Sequence, residues 1–312
     1  MFLTLILLAV GLAMIVFGAD FLVEGASAIA RRSGISEFVI GLTIVGFGTS
    51  CPELVVSITG ALAGNSDVAI GNVIGSNSFN SLFILGLTAV ISPVAITAKN
   101  KKRDIPIVIA VSMFLAFAGM FLGKENGISR VEGAIFLLVF AAYMYYCFKQ
   151  PAEDSSEDAG VTMKISKAVI YVIAGLGGLI YGGQIFVSSA TDIAHWMGVS
   201  DKVIAITLLA GGTSLPELAT CIAAVVRKRG QLALGNILGS NIFNILLILG
   251  CAAVISPLSF KNINYIDMGA LIVSQILIFT SAFAGKKNTI DRLDGAIMLL
   301  CEGVYLTLLF LA

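Results

Sequence analysis

Apolar runs long enough to cross a lipid bilayer recur along almost the whole of this 312-residue chain. Only 12% of its residues are charged and 58% are hydrophobic, whereas a water-soluble domain carries about 25% charged residues. A run of about 20 apolar residues spans the hydrocarbon core of a bilayer when it forms an α-helix. The sequence therefore predicts an all-α membrane protein for which lipid is most of the solvent.

Turn residues and charges divide the apolar runs into ten candidate transmembrane helices. The predicted spans cover residues 3–29, 37–63, 68–91, 104–122, 130–149, 166–195, 203–227, 232–255, 264–284 and 291–311. Between the fifth and sixth spans lies an acidic, serine-containing tract, 150–164, which is typical of a solvated linker. We therefore divide the chain into a first five-helix repeat (1–149), this linker and a second five-helix repeat (165–312).

The two halves are copies of one another. The stretch IGLTIVGFGTSCPEL at 40–54 aligns with IAITLLAGGTSLPEL at 204–218, and AIGNVIGSNSFN at 69–80 aligns with ALGNILGSNIFN at 233–244, in both cases 164 residues later. Because each copy has an odd number of predicted helices, the second copy must enter the membrane from the opposite side. This predicts two inverted repeats, an arrangement found in many secondary transporters.

The basic residues are distributed very unevenly over the two faces of the ten-helix layout. Fifteen of the 19 Lys and Arg residues fall on one face and four on the other. The face rich in Lys and Arg is normally cytoplasmic. We therefore expect a multi-pass protein of the cell membrane, with both termini outside and the acidic linker in the cytoplasm.

The motif GTSCPE at residues 48–53 places polar groups where a membrane helix is normally apolar. On a helix, Thr49, Ser50 and Glu53 lie on one face. Pro52 has no N–H group, so the Gly48 carbonyl loses its helical donor and the helix is expected to break. Hydroxyl, carboxylate and free carbonyl oxygens are hard ligands, which suit Na⁺ and Ca²⁺.

A second motif, GSNSFN at 75–80 and GSNIFN at 239–244, adds amide and hydroxyl groups to each half. Ser76 and Asn80 share a helical face, as do Ser240 and Asn244. If the repeats are inverted, the four motifs can converge near the middle of the membrane. The expected site contains Glu53, Glu217, Asn80, Asn244 and the hydroxyl groups Thr49, Ser50, Thr213, Ser214, Ser76 and Ser240.

The charge of the predicted site limits what it can bind. Glu53 and Glu217 have no basic residue in the same motifs, and two carboxylates within a membrane repel one another. One Ca²⁺, two Na⁺ or protons would each neutralise the pair, and alternate occupancy by different cations is the basis of exchange. A single TSxPE motif could equally be a structural kink, and GSNxFN alone could mark close helix packing; their joint duplication favours a binding site.

These four motifs resemble those of the calcium/cation antiporter superfamily, specifically its prokaryotic sodium/calcium exchanger branch, and the similarity extends over essentially the whole chain. The resemblance implies a cluster of cation sites between the second, third, seventh and eighth helices, and alternating access by sliding of the first and sixth helices. It implies that the central carboxylates are Glu53 and Glu217 and that the central amides are Asn80 and Asn244. Further oxygen ligands would be Thr49, Ser50, Thr213 and Ser214, and backbone carbonyls would come from Gly46 and Ala210. The flanking Na⁺ sites would include Ser76 and Ser240.

Two features of the sequence bear on ion coupling. Some exchangers of this branch carry Asp at the position of Asn244, so this site has one carboxylate fewer and its stoichiometry is open. The GNxxE motif of proton-coupled calcium exchangers is missing from the third and eighth helices, which favours Na⁺ as the driving ion. We therefore expect a Na⁺/Ca²⁺ antiporter, with H⁺/Ca²⁺ or K⁺-assisted exchange as the alternative.

Other classes of function fit the sequence less well. A duplicated inverted repeat within one chain suits alternating access better than a channel pore. His195 is the single histidine and lies at a predicted helix end, so we expect neither a Ser/His arrangement nor a His-based metal centre, and no enzyme. We expect no cofactor and, with a net charge of +0, no nucleic-acid partner; the partners would be Na⁺, Ca²⁺ and the bilayer, with a monomer as the functional unit.

Three further acids lie within the predicted spans. Asp20 and Glu24 in the first span are expected to be solvated structural acids or part of a cytoplasmic vestibule. Glu302 lies well inside the last span, at a position that Phe140 occupies in the first half. The sequence alone assigns no role to Glu302.

Overall fold

The structure, a computed structural model, describes residues 2–121, 127–149, 163–198, 210–261, 263–284 and 288–311, and it is almost entirely helical there. The main helices are α1 (Phe2–Ser33), α2 (Glu37–Thr49), α3 (Cys51–Leu62), α4 (Ser66–Ile91), α5 (Ile105–Phe121), α6 (Arg130–Lys149), α7 (Ile165–Trp196), α8 (Leu215–Val226), α9 (Gly230–Ile255), α10 (Tyr265–Phe283) and α11 (Arg292–Leu311). Short helical turns also precede α5 (Asn100–Asp104) and α8 (Ala210–Gly212).

Four two-residue strands join loops from the two halves. They are β1 (Val94–Ala95), β2 (Gly127–Ile128), β3 (Leu258–Ser259) and β4 (Thr289–Ile290). β1 pairs antiparallel with β4, and β2 pairs antiparallel with β3. Each pair therefore connects the first half of the chain to the second.

The predicted spans agree with the helices to within four residues wherever the structure describes them. Among the described residues, seven helices are long and apolar enough to cross a membrane: α1, α4, α6, α7, α9, α10 and α11. The bent pair α2 and α3 would make an eighth. The predicted fourth span corresponds to α5, which has 17 residues, and residues 203–209 of the predicted seventh span lie outside the described residues.

The predicted break in the first motif is present. α2 and α3 meet at an angle of 50°, and Ser50 between them has φ −84° and ψ 9°, outside the helical region. Pro52 is the second residue of α3, a position where its missing N–H group leaves no hydrogen bond unmade. Ser214 and Pro216 repeat this geometry at the start of α8, with Ser214 at φ −90° and ψ 8°.

The second motif lies on the two most buried of the long helices. Within the apolar 18-residue stretch of each helix, 67% of the residues in α4 and 83% of those in α9 are buried, against 22% or less in α1, α6 and α11. Both helices widen into a π-helical turn at the motif, at Asn80–Ile84 and Phe243–Ile248. Such turns are rare and often occur at functional sites, and the sequence did not reveal them.

The two longest helices pack backbone against backbone. α1 and α7 have 32 residues each. A Cβ atom added at Gly18 would lie 2.9 Å from the Gly175 carbonyl oxygen, and one added at Gly175 would lie 2.6 Å from the Leu22 nitrogen. Because only glycine permits this approach, α1 and α7 form one closely packed pair.

Candidate cation site

Glu53 and Glu217 lie in the first turns of α3 and α8, and each is only 1% exposed. Each carboxylate accepts a hydrogen bond from the other half of the chain. The Ser50 hydroxyl donates to Glu217 Oε1 at 2.9 Å, and the Ser214 hydroxyl donates to Glu53 Oε1 at 3.0 Å. The two TSxPE motifs therefore meet directly, as the sequence predicted.

The second motif completes the surroundings of each carboxylate. Ser76 on α4 donates to Glu53 Oε1, and Ser240 on α9 donates to Glu217 Oε1, both at 3.4 Å. The two contacts involve equivalent residues of the two halves. Four helices, α3, α4, α8 and α9, thus contribute to one buried cluster.

The central amides are also paired across the halves. Asn244 Nδ2 donates to Asn77 Oδ1 at 2.9 Å, and Asn80 Nδ2 donates to Asn241 Oδ1 at 3.2 Å. Asn241 Nδ2 in turn donates to the Ser81 hydroxyl at 2.8 Å. Because both Nδ2 groups are engaged, the orientation of Asn80 and Asn244 is fixed, and each keeps its Oδ1 atom available.

Four buried oxygen atoms of the cluster have no hydrogen-bond partner: Oε2 of Glu53, Oε2 of Glu217, Oδ1 of Asn80 and Oδ1 of Asn244. Buried acceptors without partners are uncommon, because each loses its hydration without compensation. These four come in two equivalent pairs, and all accept and cannot donate. Such a set of oxygens fits a hard cation. Thr213 Oγ1 and Ser78 Oγ are two further buried oxygens of the motifs without a partner.

The cluster carries uncompensated negative charge. Ion pairs in the described part of the chain include Arg103–Asp104, Arg227–Asp20 and Arg229–Glu37, and neither central carboxylate takes part in them. Two carboxylates buried in this way need a bound cation or protons to be tolerated within a membrane. The described residues also hold no group of three or more His, Cys, Asp and Glu side chains suited to a metal.

The other predicted ligands lie around this cluster or at its edge. Thr49 is fully buried, and its hydroxyl donates to Asn236 Oδ1 at 3.1 Å and to the Gly46 carbonyl at 3.4 Å. Thr49 and Gly46 are therefore in contact with each other, and Thr49 reaches α9. Ala210 lies at the start of the described segment that leads into α8, in the short turn Ala210–Gly212.

Four asparagines that the sequence analysis did not select also contribute. Asn77 and Asn241 hold the central amides, as described above. Asn72 Nδ2 donates to the Glu53 carbonyl at 3.2 Å and to the Ser57 hydroxyl at 3.0 Å, while Asn236 accepts from Thr49. All four lie in the duplicated stretch at equivalent positions, so their repetition 164 residues apart was the available signal.

Comparison with known proteins gives consistent matches over nearly the whole chain. The family model described as "sodium/calcium exchanger protein" matches residues 3–149 and 167–311. The putative antiporter CaxA of Alkalimonas amylolytica is 37% identical, and the sodium/calcium exchanger MaX1 of Methanosarcina acetivorans is 31% identical, with 98% of both chains covered in each case. A solved structure of the sodium-calcium exchanger NCX_Mj, soaked with Na⁺ and Sr²⁺, superposes with a TM-score of 0.85 at 32% identity and covers 98% of both chains.

Proposed function

The chain belongs to the sodium/calcium exchanger family, and from that premise we propose that it exchanges Na⁺ for Ca²⁺ across the cell membrane by alternating access. It is a multi-pass membrane protein of a family of cation transporters, not an enzyme. The observation that carries the proposal is the set of four unpartnered buried oxygens, two from carboxylates and two from amides, gathered from both halves of the chain. The relatives named above are a putative antiporter and a sodium/calcium exchanger.

The proposed cation ligands are the residues of the four motifs. Glu53 and Glu217 supply the charge, and Asn80 and Asn244 supply neutral oxygens between them. One Ca²⁺ or two Na⁺ would neutralise the two carboxylates, so the same site could take the two ions in turn but not together. The supporting ligands would be Thr49, Ser50, Ser76, Thr213, Ser214 and Ser240 through their hydroxyls and Gly46 and Ala210 through their carbonyls. No cofactor is needed for such a cycle.

We further propose that the chain crosses the membrane ten times as two inverted five-helix repeats, 1–149 and 165–312, joined by the linker 150–164. The matched contacts of the two carboxylates support this division, since the hydrogen bonds donated by Ser50 and Ser76 have equivalents at Ser214 and Ser240. The distribution of Lys and Arg supports a cytoplasmic linker and termini outside. A monomer would contain the complete site.

The α1–α7 pair is the proposed moving part. The pair is held together by glycine contacts, and α7 also contacts the two helix breaks. A Cβ atom at Gly48 would lie 2.7 Å from Leu176 Cδ1, and one at Gly212 would lie 2.8 Å from Val187 Cγ2. Movement of α7 along the rest of the protein would therefore uncover one break or the other.

Calcium flux in reconstituted vesicles tests the proposal. We expect Ca²⁺ movement that is driven by an imposed Na⁺ gradient and is insensitive to a pH gradient. Flux that followed the pH gradient and ignored Na⁺ would indicate H⁺/Ca²⁺ exchange instead, and a requirement for K⁺ would indicate K⁺-assisted exchange.

Charge removal at the site tests the ligands. Glu53→Gln and Glu217→Gln should each abolish flux, because one charge is then missing from the pair. The matched control is Glu132→Gln at the exposed start of α6, where the carboxylate accepts from the Ser129 backbone nitrogen at 2.7 Å. If either site variant transports like this control, the ligand assignment is wrong.

A further inference from the structure

An ion pair joins α1 to the end of the helix that carries Glu217. Arg227 follows the last residue of α8, and its Nη2 lies 2.9 Å from Asp20 Oδ1 on α1. Its Nε also donates to the same oxygen at 3.0 Å. Asp20 is thus a partly exposed acid whose partner lies on another element.

The ion pair connects the α1–α7 cover to the site helices. α1 is bound to α7 through their shared glycine interface, and α7 places Leu176 and Val187 against the glycines of the two motifs. In the proposed transport cycle, ions reach the buried carboxylates when the α1–α7 pair parts from the motifs on one side. A bond from α1 to α8 opposes that separation at the end where it lies.

The second half of the chain offers no matching bond. The position equivalent to Arg227 in the first half is Ala63, and the position equivalent to Asp20 in the second half is Gln184. An alanine and a neutral amide cannot form an ion pair. The connection therefore acts at one face of an otherwise duplicated arrangement.

We propose that Asp20 and Arg227 are positioning residues for transport: their ion pair holds α1 against α8 and favours the state in which the site is closed on that side. This rests on the proposed exchange function, because a one-sided bond affects transport only if the site opens to each side in turn. Neither residue touches the transported ion.

The size of the effect follows from the exposure of the pair. Both side chains are 39% exposed, and ion pairs at such positions are weak and screened by salt. The ion pair therefore shifts the equilibrium between the two access states without preventing either state. Removing it should change the ratio of the two access states by roughly two- to fivefold.

Charge removal and charge exchange test the bias. Asp20→Asn and Arg227→Gln should each change the exchange rate, and the apparent ion affinity from the two sides, by about two- to fivefold. The double variant Asp20→Arg with Arg227→Asp should return towards wild type. The matched controls are Glu37→Gln and Arg229→Gln, which break an ion pair of 2.9 Å between the start of α2 and the residue before α9, neither of which belongs to α1 or α7. Equal effects from these controls would overturn the proposal.

A covalent link gives the stronger test. With cysteines at Asp20 and Arg227 joined by a reducible bifunctional thiol reagent of the length that the ion pair spans, exchange should stop and recover on reduction. The same link between Glu37 and Arg229 should leave exchange intact, and wild-type protein treated with the reagent controls for the native cysteines. Unchanged exchange in the Asp20–Arg227 linked protein would overturn the proposal.

Hydrogen–deuterium exchange on ion-free protein separates this proposal from the function it rests on. Arg227→Gln should speed amide exchange in the α1 peptides around Asp20 about two- to fivefold, whereas Arg229→Gln should not. If Arg227→Gln speeds amide exchange in this way but the protein shows no Na⁺-driven Ca²⁺ flux, the proposed function is wrong and the bond between α1 and α8 is still supported. Flux with no change in α1 exchange would remove the positioning role alone.

Discussion

At the residue scale, each central carboxylate is held by a hydroxyl group from the opposite half of the chain. The shorter contact of Glu53 comes from Ser214 and that of Glu217 comes from Ser50. Neither half can therefore build the site by itself, and a displacement of one motif moves a donor of the other carboxylate. The site is well suited to respond to helix movement, because its hydrogen bonds cross the boundary between the halves.

The two supporting amides, Asn77 and Asn241, should control the affinity for the cation without contacting it, because they hold Asn244 and Asn80. In Asn77→Ala, Asn244 Nδ2 loses its acceptor at 2.9 Å, so the Asn244 amide is free to rotate away from the cation. Loss of such a supporting contact typically weakens metal binding by about 10- to 100-fold. We expect a rise of this order in the Ca²⁺ concentration that gives half-maximal exchange.

The control for this change is Asn65→Ala. Asn65 is exposed and caps α4 by accepting from the Val68 nitrogen at 3.3 Å. Its loss should affect the local helix end and leave Ca²⁺ dependence unchanged. A normal Ca²⁺ dependence in Asn77→Ala would mean that the amide pairs do not orient ligands.

The charge at the positions of the central amides, Asn80 and Asn244, should set how much charge crosses the membrane in each transport cycle. Asn244→Asp adds a third carboxylate to Glu53 and Glu217, and a neutral occupied site then needs one more positive charge. We expect a shift in the reversal potential of exchange that corresponds to about one elementary charge per cycle, as voltage acts on each charge that crosses the membrane. Asn65→Asp, a substitution that helix caps tolerate, is the control, and an unchanged reversal potential in Asn244→Asp would place Asn244 outside the transport site.

The sequence predicted the two carboxylates of the candidate site but not the amides that support them. Glu53, Glu217 and their serines were predictable because a polar motif repeated in apolar surroundings is conspicuous. The pairing of Ser50 with Glu217, and of Asn77 with Asn244, was not, since it depends on how two distant segments meet. Position along one helix defines a face, but it does not define what that face contacts.

At the element scale, helix ends were predictable and departures from α-helical geometry were only partly so. The breaks before α3 and α8 are predictable from Pro52 and Pro216, because proline lacks the N–H group that an uninterrupted helix needs. The π-helical turns at Asn80–Ile84 and Phe243–Ile248 have no such marker, because no residue type requires them. Only the structure shows these turns, and it places them at the central amides Asn80 and Asn244.

The close contact of α1 with α7 should depend on individual glycines. Gly175→Leu would place side-chain atoms against the backbone of α1, where even a Cβ atom would lie 2.6 Å from the Leu22 nitrogen. Overpacking of this kind typically costs about 1–3 kcal/mol, and here the two helices must separate. We expect a lower temperature of thermal inactivation in detergent and loss of exchange.

Gly177→Leu is the matched control on the same helix, because a Cβ atom there meets nothing within 4 Å. Both variants replace one glycine of α7 with the same larger apolar residue, so helix propensity and hydrophobicity change alike. Equal stability of the two variants would mean that the α1–α7 interface tolerates separation.

At the scale of the whole molecule, the duplication explains why one chain can form a closed site. α4 and α9 are the most buried of the long helices and bring the two copies of the second motif together, while β1–β4 and β2–β3 join the halves at their loops. The differences between the halves are as informative as their similarity. Asp20–Arg227 has no counterpart, so the two faces of the protein are chemically distinct.

The proposed inversion of the repeats can be tested at two equivalent turns. Ala63 precedes Gly64, which has φ +71° between α3 and α4, and Lys228, with φ +59°, lies in the equivalent turn between α8 and α9. Inverted repeats place these turns on opposite sides of the membrane, whereas parallel repeats place them on the same side. In a background without the five native cysteines, Ala63→Cys should react with a membrane-impermeant thiol reagent added outside intact cells, and Lys228→Cys should react only after the cells are opened. Ser155→Cys in the linker should behave like Lys228→Cys, and labelling of Ala63→Cys and Lys228→Cys from the same side would exclude the inverted arrangement.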